Sequence, residues 1–146
     1  MKRILTLALV SFVLTSCGMT TSLYYWGGVQ NGATAYENLA YQKYDKQTPE
    51  SICRLICVYE DIVSNPGGTR RMPPPDICAE YGYMLLSPEN AAIFAEYATA
   101  MQRRTFTSGD YATFFPERGK ELLQKEIELY PESAKFIAPL IERLCK

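Results

Sequence analysis

The sequence predicts an all-α domain built from antiparallel helix pairs. Three observations point there. Ile52, Leu55, Ile56, Tyr59, Ile62 and Val63 recur at helical spacing along one stripe. Thr48-Pro49 and Ser87-Pro88 place a capping residue before a proline, the arrangement that suits a first helical turn. Strand-like alternation never persists for five residues between turn signals. Four helix-forming stretches or more, joined by short turns, favour neighbours that run antiparallel.

The elements follow in order. Asn31 to Tyr44 is expected to be a first helix, with Ala35, Leu39 and either Tyr36 or Tyr44 near one face. Thr48 caps a second helix, and Asn65-Pro66-Gly67-Gly68 ends it, because the residue before a proline is pushed out of the α region. Pro73-Pro74-Pro75 keeps the stretch from Arg70 extended. A helix from about Asp76 to Leu86 carries Ile77, Tyr81, Met84 and Leu85 on one face. Gly82 lies inside it at a cost of about 1 kcal/mol against alanine, so close helix packing is expected there. The helix opened by Ser87-Pro88 should bury Ala91, Phe94, Ala95, Ala98 and Met101. After a loop from Thr105 to Asp110, a helix runs from about Pro116 to Tyr130, repeating Gly119, Leu122, Leu123 and Ile127. Pro131-Glu132-Ser133 breaks the chain, and a last helix should bury Phe136, Ile137, Leu140, Ile141 and Leu144. Pro139 conflicts with that helix unless it begins late or kinks.

The first residues carry an address. Lys2 and Arg3 precede an apolar run from Ile4 to Leu14, too short to span a bilayer and suited to a signal peptide. Leu14-Thr15-Ser16-Cys17 resembles the lipobox of bacterial lipoproteins. That resemblance implies cleavage before Cys17, a diacylglycerol on its sulfur, and a further acyl group such as palmitate on the new amine. Two or three acyl chains hold a protein stably on a membrane. Cys17 is therefore the expected lipidation site, and no aspartate follows it, which resembles the pattern sorted to the outer membrane. The expected organisation is a signal peptide over 1–16, a lipidated tether over 17–30 and a helical domain over 31–146.

Composition bounds the chemistry. Without Lys2 and Arg3 the 15 basic residues become 13 against 16 acids, a net charge of −3, so nothing resembles a nucleic-acid footprint. Histidine is absent, which removes Ser-His-Asp and Cys-His nucleophile arrangements and His-based zinc sites. The acids fall in surface patterns with no convergent constellation, so no enzyme activity, cofactor or metal is expected. Cys53, Cys57, Cys78 and Cys145 remain after Cys17, an even number that suits disulfides in an exported chain. Mirroring positions about the Pro66–Pro75 connection makes Cys57–Cys78 the favoured pair of those considered there, though the match is a turn off. Buried thiols acting as small apolar residues are the competing reading.

Tyr24-Tyr25-Trp26-Gly27-Gly28 places the only tryptophan directly after the tether. The rings either fold back as a cap on the helical core, the favoured reading, or form a partner-docking patch. In the first case Trp26 is largely buried and Tyr24 or Tyr25 exposed. The eleven tyrosines include Tyr41, Tyr44, Tyr81, Tyr83 and Tyr97, expected to edge the core with their hydroxyls in water, which also allows a groove for a cell-wall peptide or glycan.

The helix around Gly82-Tyr83-Met84-Leu85-Leu86 and the stretch from Leu122 to Ser133 are similar to degenerate tetratricopeptide repeats. The lipobox, the aromatic–glycine motif and the terminal Tyr-Pro-Glu-Ser with Phe136 to Leu144 together resemble the small bacterial lipoproteins labelled domain of unknown function 4810. Ser87 to Phe115 is extra relative to that family. The resemblance implies a non-catalytic adaptor at the outer membrane facing the periplasm. It also implies an envelope lipoprotein partner like the curli secretion channel.

Overall fold

The computed structural model describes residues 22–46 and 48–144. Among these the fold is mostly helical, as the sequence predicts, with a single two-stranded sheet. A hairpin pairs β1 (Val29–Gln30) with β2 (Ala33–Thr34). Helices α1 (Ala35–Asp45), α2 (Pro49–Ser64), α3 (Ile77–Leu85), α4 (Pro88–Tyr97), α5 (Ala100–Arg103), α6 (Tyr111–Leu129) and α7 (Ala134–Leu144) follow, with a 3-10 turn at Pro131–Ser133 before α7.

The hairpin corrects the first expected helix. Asn31 and Gly32 take φ of +53° and +82°, the two positive values of a type I′ turn that matches strand twist. The helix begins only at Ala35. Thr34 caps it in a reciprocal box with Glu37. The hairpin also straddles the boundary expected at residues 30 and 31.

Helix α2 is the spine of the core. Thr48 caps it through the Ser51 amide, and Leu55, Ile56, Tyr59, Ile62 and Val63 are buried along it. Gln42 meets Arg54 while Tyr36 meets Tyr59, so α1 and α2 run antiparallel. The same holds for α3 and α6. There a Cβ on Gly82 would stand 2.8 Å from the Gly119 carbonyl and one on Gly119 2.8 Å from the Gly82 carbonyl. Neither position has room for a side chain, which is the packing reason for both glycines. Leu123 lies over Gly82 and Leu86 over Gly119, fixing the register of the crossing.

Helix α3 has an unusual start. Its N-cap residue, Asp76, is in the left-handed region (φ +68°) and makes no side-chain cap bond. The cap comes from α6 instead. Buried Glu126 accepts the Asp76 amide at 2.9 Å and faces the amides of Cys78 and Ala79. A carboxylate at a helix N-terminus is favoured by the unpaired N–H groups there.

Several expected burials fail. Helix α4 ends at Ala98, and Thr99 with Gln102 forms a capping box that starts α5, turning Met101 out to 72% exposure. Ala95 is exposed as well. On α7 only Ile137 is buried, while Phe136 is 68% exposed. Pro116 and Pro139 both lie inside helices, five residues after the first helical residue in each. The carbonyls they leave unpaired belong to Ala112 and Lys135, exposed residues that water can satisfy.

Candidate interaction site at the aromatic–glycine motif

Cys17, the expected lipidation site, lies outside the described residues, as does Cys145. The motif that follows is fully placed. Each aromatic reaches a different element. Tyr24 hydrogen-bonds the phenol of Tyr130 at the end of α6, and Tyr130 donates to the Pro73 carbonyl at 2.7 Å. Tyr25 donates to the Asp61 carboxylate on α2 at 2.8 Å. Trp26 packs on Tyr36 of α1 with ring centroids 5.2 Å apart. Tyr24, Tyr25 and Trp26 are all partly buried, so Trp26 packs on the core as expected while neither tyrosine is the exposed ring expected beside it. The reason is geometric. The strap runs along the outside of α1 and α2, so each ring has one face on the protein.

The backbone of the strap is held as firmly as its rings. The Ser22 and Leu23 carbonyls accept the amides of Thr69 and Arg70 at 3.1 and 3.0 Å. Gly68 (φ +72°) makes this approach possible, because a Cβ there would stand 2.6 Å from the Leu23 oxygen. Further on, the Trp26 and Gly28 carbonyls accept the amides of Tyr36 and Ala35. The two glycines of the motif differ. Gly27 (φ +82°) is buried with Ala35 2.9 Å from where its Cβ would be, whereas Gly28 is exposed with open space around it.

Behind the strap the rings continue inward. Tyr36 meets Tyr59 edge-on at 5.8 Å, and Tyr59 stacks on Tyr81 at 5.3 Å. Their hydroxyls end on carboxylates. Tyr36 and Tyr59 both donate to Glu80 Oε2, at 2.8 and 2.7 Å, and Tyr81 donates to Glu60 at 2.9 Å. Arg118 closes on Glu60 at 3.0 Å. Burial first, and the Glu60 charge second, push the Tyr81 pKa well up, so this phenol stays a donor. Asp61 raises the Tyr25 pKa through the hydrogen bond.

The expected Cys57–Cys78 bridge is not formed. Cys53, Cys57 and Cys78 are free thiols. Cys57 turns towards α5, where the Gln102 carbonyl lies at 3.9 Å and the Thr105 hydroxyl at 3.8 Å. Cys78 is fully buried on the face of α3 that meets α6, where the charge of Glu126 reaches it. The two thiols therefore serve different packing surfaces. Burial pushes the Cys53 pKa to about 11 and that of Cys78 to about 12, so both are protonated and unreactive at neutral pH.

Among the described residues, no group of three or more His, Cys, Asp or Glu side chains is placed to hold a metal ion. Nor is any helix long and apolar enough to cross a membrane. A shallow concavity of about 600 Å³ lies over α1, bordered by Glu37, Asn38, Tyr41 and Gln42. Sequence reasoning missed Tyr36, Asp61 and the 67–70 loop as the partners of the motif. Asn31-Gly32 and Gly67-Gly68 were the available signals. No protein-family profile, curated protein or solved structure matches the chain.

Proposed function

We propose that this chain is a lipid-anchored, non-catalytic adaptor lipoprotein of the bacterial envelope, held on the outer membrane through Cys17. The anchor rests on the sequence alone, on the basic start, the short apolar run and Leu14 to Cys17. The observation that carries the adaptor role is the strap. From Ser22 on, it fastens the chain to three separate helices through Tyr24, Tyr25 and Trp26. A domain fixed at its anchor presents its far surface in a defined orientation, which suits assembly of a complex. The buried and paired acids also have structural tasks. Glu126 caps α3, and Glu60 and Glu80 hold tyrosine hydroxyls. The resemblance noted above makes a channel-forming envelope lipoprotein the proposed partner. Pull-down of the acylated protein in mild detergent should recover one such partner in stoichiometric amount. Recovery of no envelope protein would reject the adaptor role.

A second reading is a cell-wall peptide- or glycan-binding module. It is favoured by Tyr41, 72% exposed beside Asn38 and Gln42, since a ring flanked by amides suits a sugar face. Co-sedimentation with purified peptidoglycan that is lost in Tyr41→Ala would favour it over the adaptor.

A further inference from the structure

We infer that the 67–71 loop is a second membrane contact, in which Arg70 and Arg71 bind anionic phospholipid headgroups beside the lipid anchor. The inference rests on the anchoring proposed above and adds to it a surface and a ligand chemistry.

The placement follows from covalent reach. Thr69 and Arg70 are hydrogen-bonded through their amides to Ser22 and Leu23. Ser22 stands five residues after Cys17 in the sequence. Five extended residues span at most about 18 Å. The loop therefore cannot leave the neighbourhood of the acylated sulfur, whatever path residues 18–21 take. Arg103 and Arg104, the other basic pair, have no such link to the anchor.

The chemistry agrees with the placement. Arg70 and Arg71 are exposed, and neither forms an ion pair among the described residues. Leu23 beside them is 59% exposed. No charged residue occurs from Cys17 to Tyr36, and no acid occurs between Asp61 and Asp76. Asp61 itself is engaged by Tyr25 and Asn65. A mature chain of net charge −3 thus carries two free positive charges at its anchored end. The loop is also shaped before binding. Arg71 takes a left-handed backbone (φ +50°), and Pro73 and Pro74 are buried directly after it. Little further ordering is needed when it meets a surface.

The two arginines together should favour the docked orientation by about 30-fold on an anionic leaflet. The same cations are a trypsin site, which supplies the readout. The acylated protein is reconstituted on phosphatidylcholine vesicles and on vesicles containing one third phosphatidylglycerol. Cleavage after Arg70 and Arg71 should slow about tenfold or more on the anionic vesicles. High salt should restore it, because exposed charge contacts are screened. Cleavage after the exposed Arg104 should be equally fast on both and serves as the internal control. Equal cleavage at Arg70 and Arg71 on the two vesicle types, fast or slow, overturns the docking alone. A mature N-terminus found by mass spectrometry to carry no acyl group overturns the anchoring, and the docking with it.

Discussion

Two aromatic clusters in this molecule use their rings in opposite ways. Phe94, Phe106, Tyr111, Phe114 and Phe115 meet at centroid distances of 4.9 to 6.3 Å, mostly edge to face. Four of the five are buried, and all but Tyr111 lack a polar side-chain atom. The run from Trp26 through Tyr36 and Tyr59 to Tyr81 has similar ring spacing, yet its hydroxyls end on Glu80 and Glu60. The first cluster stabilises by removing apolar surface from water. The second joins a surface strap to the core through rings whose polar ends stay satisfied. Ring proximity alone does not distinguish core from connector. The end of each side chain does.

The comparison can be sharpened or broken by substitution. Phe115→Ala in the first cluster should cost the most, about 3–5 kcal/mol, read as a fall in the urea midpoint. A loss under about 1 kcal/mol would mean the cluster is not the centre of the core. Gly82→Ala acts at the α3–α6 crossing. Its Cβ meets a backbone carbonyl that cannot turn away, so a loss of about 1–3 kcal/mol is expected, against the gain that alanine brings to an open helix. A stabilised Gly82→Ala variant would show that the crossing is loose.

Trp26→Ala should cost about 2 kcal/mol, less than Phe115→Ala because its ring is only half-buried. Unchanged stability with loss of partner capture would make the strap a docking patch and dissolve the connector role. Tyr25→Phe removes one hydroxyl from Asp61 and should cost about 1 kcal/mol or less in thermal or urea unfolding. A larger loss would mean that this single bond holds the strap.

The smallest net effect is expected from Glu126→Gln, which keeps an acceptor for the Asp76 amide. Here the pH slope is informative. Burial raises the Glu126 pKa above its ordinary 4.5, and the α3 amides offset part of the rise. Between 4.5 and that raised value, the folded chain keeps a proton that the unfolded chain has lost. Glu126 therefore contributes a loss of stability as pH rises through this window. Urea midpoints measured across it should fall more steeply for the wild type than for Glu126→Gln. Parallel profiles would contradict the raised pKa.

Local chemistry made much of this architecture legible. Thr48-Pro49 and the stripe on α2 are strong helix signals, and Gly82 pointed to a close approach before its partner Gly119 was known. Asn31-Gly32 is an equally local signal, but the alanines and leucine that follow make it read as part of the first helix. Pro116 reads as the start of α6 in place of Tyr111, since a proline signals a boundary even where water can satisfy the carbonyl it frees. The stretch from Ser87 to Phe115 supplies Phe94, Phe106, Tyr111 and Phe115 to the core, and of these four the helical spacing predicts only Phe94. The partners of the motif were not legible. Asp61, Tyr130 and Arg70 are brought to it by folding across 36 residues or more, as the Tyr25–Asp61 bond shows.

The pairing of Ser22 and Leu23 with Thr69 and Arg70 also sets a load path. Any tension that enters the domain through residue 22 falls first on two backbone bonds, then on Tyr24 and Tyr25, and reaches α1 only past Trp26. These attachments break in sequence rather than together, as a strip is peeled. Through Tyr24 and Tyr130 part of the pull also reaches the end of α6. The strap is thus the first part of the domain to take up a pull on its anchored end.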